Sequence, residues 1–259
     1  MDLFVVDAFA TQAFTGNPAG VVLLTEPREA AWMQAIAAEL SVSETAFVAI
    51  AGAERAGDPL PLRWFTPTTE VDLCGHATLA ATHVLGGEQR YDTRSGVLGA
   101  SAQEGGWVEL DFPADPPAAL EPPATLLAAL PGVTVRAVAQ GISDLLVELD
   151  SAAEVRELRP DLAGIAALPV RGVIVTAVGD GDADFVSRCF YPAQGVDEDP
   201  VTGSAHCTLA CWWSDKLERA ELLGEQVSRR GGRVRVSRRE HRVRLAGQAV
   251  TVLTGRLTV

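Results

Sequence analysis

Phe65-Thr66-Pro67, three residues, then Val71-Asp72, and again Phe190-Tyr191-Pro192, three residues, then Val196-Asp197: one pattern is written twice, about half the chain apart. The same offset lays the apolar run Val21-Val22-Leu23-Leu24 on Leu146-Val147-Glu148-Leu149. Each copy runs on into a glycine and a string of small residues. These are Gly75-His76-Ala77-Thr78-Leu79-Ala80-Ala81 and Gly203-Ser204-Ala205-His206-Cys207-Thr208-Leu209-Ala210. Three matches in one order at one spacing point to two similar lobes. The register beyond the proline stays open. Aligning the glycines gives the second copy three extra residues, whereas aligning His76-x-Thr-Leu-Ala with His206-x-Thr-Leu-Ala gives it five.

Between the copies, Phe112-Pro113-Ala114-Asp115-Pro116-Pro117 and Glu121-Pro122-Pro123 hold five of the 15 prolines. Proline locks φ and removes a donor, so this stretch reads as a linker. The expected lobes are residues 1–115, completed by a strand at about 249–259, and residues 116–248. Leu3–Val6, Gly20–Leu24, Thr45–Ile50 and Leu62–Phe65 read as strands, rich in branched and aromatic residues. Glu29–Leu40 has the helical period, with Pro27 near its start. In the second lobe, strands are expected near Leu145–Leu149, Gly172–Val178 and Phe185–Phe190, and a helix from about Ala153 to Leu158. The tail from Gly232 to Val259 alternates valine and arginine as hairpin strands do. The two glycine-led helices are small nearly all round, which is the mark of a buried helix with close neighbours. The expected fold is therefore α+β, with two pseudo-symmetric lobes, each a β-barrel-like sheet wrapped around a central helix.

Composition excludes several classes of function. The chain has 259 residues, 47% hydrophobic and 21% charged, which rules out disorder. A net charge of −13 repels phosphate backbones, so no nucleic-acid partner is expected. No apolar run reaches the roughly 18 residues of a membrane span. Met1-Asp2-Leu3-Phe4 does not read as a signal peptide, so a cytoplasmic location with reduced Cys74, Cys189, Cys207 and Cys211 is expected. Lys216, the single lysine, falls at a helix end, which argues against Schiff-base chemistry. Nucleotide loops lack their glycines and lysine. Asp180-Gly181-Asp182-Ala183-Asp184 starts like a calcium loop but has Phe185 where glycine is needed and Tyr191 where glutamate is needed. The four histidines lack zinc spacing, and Cys207-x-x-x-Cys211 fits buried thiols better than ligands, so no metal site is expected. Eight arginines between Arg229 and Arg244, interleaved with Val234, Val236 and Val243, fit the solvated face of a strand.

Candidate chemistry gathers at the two glycine-led helices. A helix N-terminus offers free N–H groups and about half a positive charge, and Gly75 and Gly203 let a ligand approach the backbone. A small carboxylate between the lobes would meet both. Glu44, between a helix end and a strand start, could shuttle protons. Read alone, each candidate also fits a plain structural role: Glu44 a surface junction residue, His76 a satisfied core group, Asp199 a turn residue and Ser204 an N-cap.

Taken together, Asp7-Ala8-Phe9, Phe14-Thr15-Gly16-Asn17-Pro18-Ala19-Gly20, Ser43-Glu44-Thr45, Phe65-Thr66-Pro67, Leu73-Cys74-Gly75-His76-Ala77-Thr78 and Glu198-Asp199-Pro200-Val201-Thr202-Gly203-Ser204-Ala205 resemble the phenazine-biosynthesis PhzF-like isomerase family, in the family's order. The resemblance implies the diaminopimelate epimerase-like fold, with an active site between the lobes, and a homodimer. It implies a cofactor-independent isomerase of a small carboxylate. In that scheme Glu44 is the general acid/base, and His76 and Asp199 orient the substrate and assist proton transfer. Gly75, Gly203 and Ser204 contact the substrate carboxylate, and Asn17 lines the cleft. Epimerases of this fold use paired cysteines. Here Cys74 stands before Gly75, but the second lobe has Asp199 near the counterpart position, so Cys74 is expected to be buried packing. An amino-acid or hydroxy-acid epimerase using Cys74 and a non-catalytic small-molecule binding protein are the alternatives.

Overall fold

The structure, a computed structural model, describes residues 1–51 and 58–259. Its chain forms two compact units, Met1–Phe112 with Ala246–Val259, and Pro113–Leu245.

In the first unit, β1 (Asp2–Ala8) runs antiparallel to β2 (Asn17–Leu24). Helix α1 (Ala30–Leu40) carries the chain to β3 (Glu44–Ala49), parallel to β2. Next, β4 (Leu60–Phe65) pairs antiparallel with β3, and the short β5 (Glu70–Val71) folds back on β4. Helix α2 (Gly75–Leu85) leads to β6 (Glu88–Thr93), parallel to β4. The antiparallel strands β7 (Gly96–Ala102) and β8 (Trp107–Pro113) follow.

The second unit opens with β9 (Ala118–Leu120) and α3 (Ala124–Ala129) and then repeats the scheme. Antiparallel β10 (Val135–Gln140) and β11 (Asp144–Leu149) come first. Helices α4 (Ala152–Glu157) and α5 (Leu162–Ala166) carry the chain to β12 (Gly172–Val178), parallel to β11. Antiparallel β13 (Phe185–Tyr191) follows, and β14 (Val196–Asp199) folds back on it. Helix α6 (Gly203–Leu217) leads to β15 (Glu221–Gln226), parallel to β13, and then to antiparallel β16 (Gly232–Arg239). A two-residue turn at Glu240–His241 starts β17 (Arg242–Arg256), whose residues Ala249–Arg256 return to pair with β1. The order of antiparallel and parallel pairings is the same in both units. Both central helices begin at their glycine, so the three-residue register is the correct one.

Burial explains the small-residue helices. His76 through Thr82 are buried without a break in α2, which packs against β1, β2, β3, β6 and β7. Alanines at positions 77, 80 and 81 let those strands approach. Where a strand comes nearest, the strand itself has glycine. A Cβ at Gly247 of β17 would sit 2.3 Å from the Phe9 ring and 3.3 Å from Leu79, and one at Gly224 of β15 would sit 2.4 Å from the Phe185 ring and 3.2 Å from His206 Nε2. On the outer side of the first sheet, Met33, Ile36 and Ala37 of α1 follow the i, i+3, i+4 spacing and pack with Leu3, Val22, Phe47 and Phe65. Among the described residues, no helix is long and apolar enough to cross a membrane.

Two buried polar groups in the second unit make testable demands. Asp144, 2% exposed at the start of β11, pairs with Arg171 through both oxygens (Nε to Oδ1, 2.8 Å) and accepts a 3.4 Å hydrogen bond from the Tyr191 hydroxyl. Removing one partner of such a pair strands the other charge. Arg171→Ala is expected to lower stability by about 3 kcal/mol, and the Asp144→Asn/Arg171→Gln double variant by less, as read from urea midpoints.

His206 of α6 is fully buried, and its Nδ1 donates to the Thr202 carbonyl oxygen at 2.8 Å. Burial pushes its imidazole down to about 4. Above about pH 6.5 neither folded nor unfolded chain protonates this ring. As pH falls from there toward 4, only the unfolded chain takes up the proton, so stability drops, by an amount on the order of 3 kcal/mol. Urea midpoints across this range should fall more steeply for the natural chain than for His206→Gln.

Candidate active site

In the first unit three elements converge on one imidazole. His76 is the second residue of α2 and is 5% exposed. Its Nε2 lies 3.2 Å from Oε2 of Glu44, the first residue of β3, whose side chain is 20% exposed. Its Nδ1 lies 3.4 Å from Nδ2 of Asn17, the fully buried first residue of β2, and 3.5 Å from Sγ of Cys74. The parallel pairing of Ala19 with Glu44 brings the starts of β2 and β3 together beside the helix end. The Glu44 contact lies off the line of a hydrogen bond, and Nε2 makes none.

Electrostatics follow from this packing. Burial works against a charge on His76 and the Glu44 carboxylate beside it works for one, so the imidazole is raised from its ordinary range. Burial pushes the Cys74 thiol up, so it is protonated at neutral pH. The cluster thus presents a carboxylate against one edge of the imidazole and a thiol against the other. Glu44, Cys74 and His76 also bring one oxygen, one sulfur and one nitrogen atom within 4.8 Å of one another, although a thiol held protonated by burial is a poor metal ligand. Sequence spacing gave no reason to join Glu44 to the other two.

At the start of α2, the N-cap residue Cys74 makes no side-chain cap, and at α6 neither does Thr202. The first-turn amides, beginning with Gly75 and Gly203, are therefore not taken up by a capping oxygen. Ser204 is not the N-cap. As the second residue of α6, it accepts a 3.0 Å hydrogen bond on Oγ from Arg171 Nη2. Asp199 ends β14, and its carboxylate accepts a 2.5 Å hydrogen bond from Thr202 Oγ1. Gln226, fully buried, locks this corner by donating to the Asp199 carbonyl oxygen at 2.7 Å and accepting from the Thr202 N–H at 2.9 Å.

Glu44, His76, Asn17 and Gly75 therefore meet in the first unit, and Asp199, Gly203 and Ser204 gather at one helix end in the second. Cys74 is buried, as expected, but it touches His76 rather than serving as packing alone. Sequence reasoning missed Arg171, Asp144, Tyr191 and Gln226. The parallel pairing of Asp144 with Gly172 sets Arg171 beside Asp144, and that long-range pairing leaves no local motif.

Comparison with known proteins identifies the family and the fold. Residues 6–255 match the sequence pattern of the family described as phenazine biosynthesis-like protein. An uncharacterised isomerase of Halalkalibacterium halodurans is 46% identical, over 98% of this chain and 97% of the relative. A crystal structure of a phenazine biosynthesis PhzF-family protein from Enterococcus faecalis superposes with a TM-score of 0.93 at 39% identity, covering 100% of this chain and 99% of that one. A Pseudomonas aeruginosa protein described as a predicted epimerase shares the fold, with a TM-score of 0.77 at 22% identity over 100% of this chain and 99% of the other. With its repeated α+β units, its two glycine-led central helices and a family match across almost its whole length, this chain belongs to the PhzF-like, phenazine biosynthesis-like family.

Proposed function

We propose that the chain, an isomerase of this family, moves a proton between two carbons of a small carboxylate, with Glu44 as its single acid/base and no cofactor. The carrying observation is the 3.2 Å contact of the Glu44 carboxylate with buried His76 at the start of α2. In this reading a carbon conjugated to the substrate carboxylate loses its proton to Glu44. The charge that develops spreads into the carboxylate, where first-turn amides at Gly75 and Gly203 and the Ser204 hydroxyl receive it. His76, fixed by Asn17 Nδ2 on its Nδ1, offers a further donor from Nε2. Asp199, oriented by Thr202, assists the transfer from the other helix end. The Glu44 carboxyl then returns the proton to the second carbon, so the reaction neither consumes nor leaves a proton. A homodimer in the cytoplasm, with no nucleic-acid or membrane partner, belongs to the same reading and rests on the family resemblance and the charge balance.

One observation favours a second reading. The Cys74 thiol sits 3.5 Å from His76 Nδ1, so an epimerase using Cys74 as a base has its thiol in contact with a proton carrier. Burial, which keeps that thiol protonated, weighs against it.

A panel of small carboxylates incubated in deuterated water, followed by NMR, separates these readings. Glu44→Gln is expected to lose at least about 100-fold in deuterium exchange and product formation, while Cys74→Ser keeps most of both. Full activity in Glu44→Gln overturns the assignment. Exchange at a single sp³ α-carbon that is lost in Cys74→Ser selects the epimerase. Binding without turnover in every variant selects a non-catalytic binding protein.

A further inference from the structure

The internal repeat allows the two helix ends to be compared position by position. In the first unit, the residue that starts β3, Glu44, reaches the second residue of α2, His76, at 3.2 Å, and the residue that starts β2, Asn17, lies 3.4 Å from the same ring. In the second unit the matching places are the start of β12, the second residue of α6 and the start of β11. There Arg171, immediately before β12, reaches Ser204 at 3.0 Å, and Asp144, which starts β11, grips Arg171. By strand pairing, Gly172 stands where Glu44 does and Arg171 one residue before it, so the same corner of the scaffold, though not the same position, carries a carboxylate against an imidazole in one unit and a guanidinium against a hydroxyl in the other.

Arg171 is built as a fixed donor. Its Nε and Nη2 are spent on Asp144, its Nη2 also reaches Ser204, and its Cζ lies over the Tyr191 ring at 5.1 Å. The side chain nevertheless stays 39% exposed. Beside it runs a shallow, open groove of about 600 Å³, whose wall includes Gln140, Ser143 and Gln194 as well as Arg171. A guanidinium fixed by a buried carboxylate and still partly exposed keeps the Nη1 hydrogens to donate to an anion. A structural ion pair alone does not require the third contact, to a hydroxyl at the mouth of a helix.

We propose that Arg171 recognises a second anionic group on the substrate, which makes the substrate a short dicarboxylate with one carboxylate at Gly203–Ser204 and the other on Arg171 at the edge of the groove. This inference rests on the reading of Gly203 and Ser204 as carboxylate contacts. It needs no assumption about Glu44.

Calorimetric titration at constant ionic strength tests it, with malonate and succinate against propionate and butyrate. The natural chain should bind the diacids at least about 10-fold more tightly than the matched monoacids. Asp144→Asn/Arg171→Gln, which avoids a stranded buried charge, should lose that preference and keep monoacid binding. Glu44→Gln should keep the preference, so a failure of the acid/base reading leaves this result standing. Equal affinity for diacids and monoacids in the natural chain overturns the proposal, and so does a preference that survives in the double variant. Loss of all acid binding in a folded double variant also overturns it, because Arg171 then holds the sole carboxylate.

Discussion

An imidazole buried to 95% must have its edges met by groups from elsewhere in the fold, and that demand organises the first unit around His76. Desolvation of an imidazole is costly, and it is offset here by a carboxylate at 3.2 Å, an amide N–H at 3.4 Å and a sulfur at 3.5 Å. Those three groups come from β3, from β2 and from the residue before α2. Each must end or begin at one place, so the parallel β2–β3 pairing and the entry of α2 are tied to the same point. The small residues of α2 serve this arrangement. They let five strands approach the helix closely enough for side chains at strand starts to reach its first turn.

The second unit uses the same scaffold with different chemistry. Its central helix also lacks a side-chain cap, but the side chain at the mouth of the parallel strand pair is a guanidinium rather than a carboxylate. The repeat supplies two helix ends without a side-chain cap, and one has a carboxylate and an imidazole beside it, the other a fixed cation. Such a division suits a reaction in which one end moves a proton while the other holds negative charge.

Much of the fold was legible in the sequence because the repeat is local and periodic. Phe65-Thr66-Pro67 and Phe190-Tyr191-Pro192 end equivalent strands, and Gly75 and Gly203 open equivalent helices. The terminal hairpin was visible as alternating valine and arginine, because Val234, Val236 and Val243 face inward while Arg233, Arg235 and Arg244 face out. Strands such as β6, Glu88–Thr93, escaped notice: only Tyr91 is buried and the rest is polar. Helix α6 proved longer than its small-residue core because Trp213 continues the buried face where the alanines stop. At the site, Glu44, His76 and Asp199 were marked by their motifs. The contact of Cys74 with His76, and of Arg171 with Asp144 and Ser204, depends on strand registers and ring orientation that no short motif encodes.

The account stands on one geometric claim, that Glu44 and the start of α2 address a bound acid. A crystal structure of Glu44→Gln with a bound short dicarboxylate tests it most directly. The expected result has a substrate oxygen within about 3 Å of the backbone N–H at Gly75, with residue 44 facing a carbon next to a carboxylate. A bound acid away from Gly75, with residue 44 turned away from its carbons, would contradict the account.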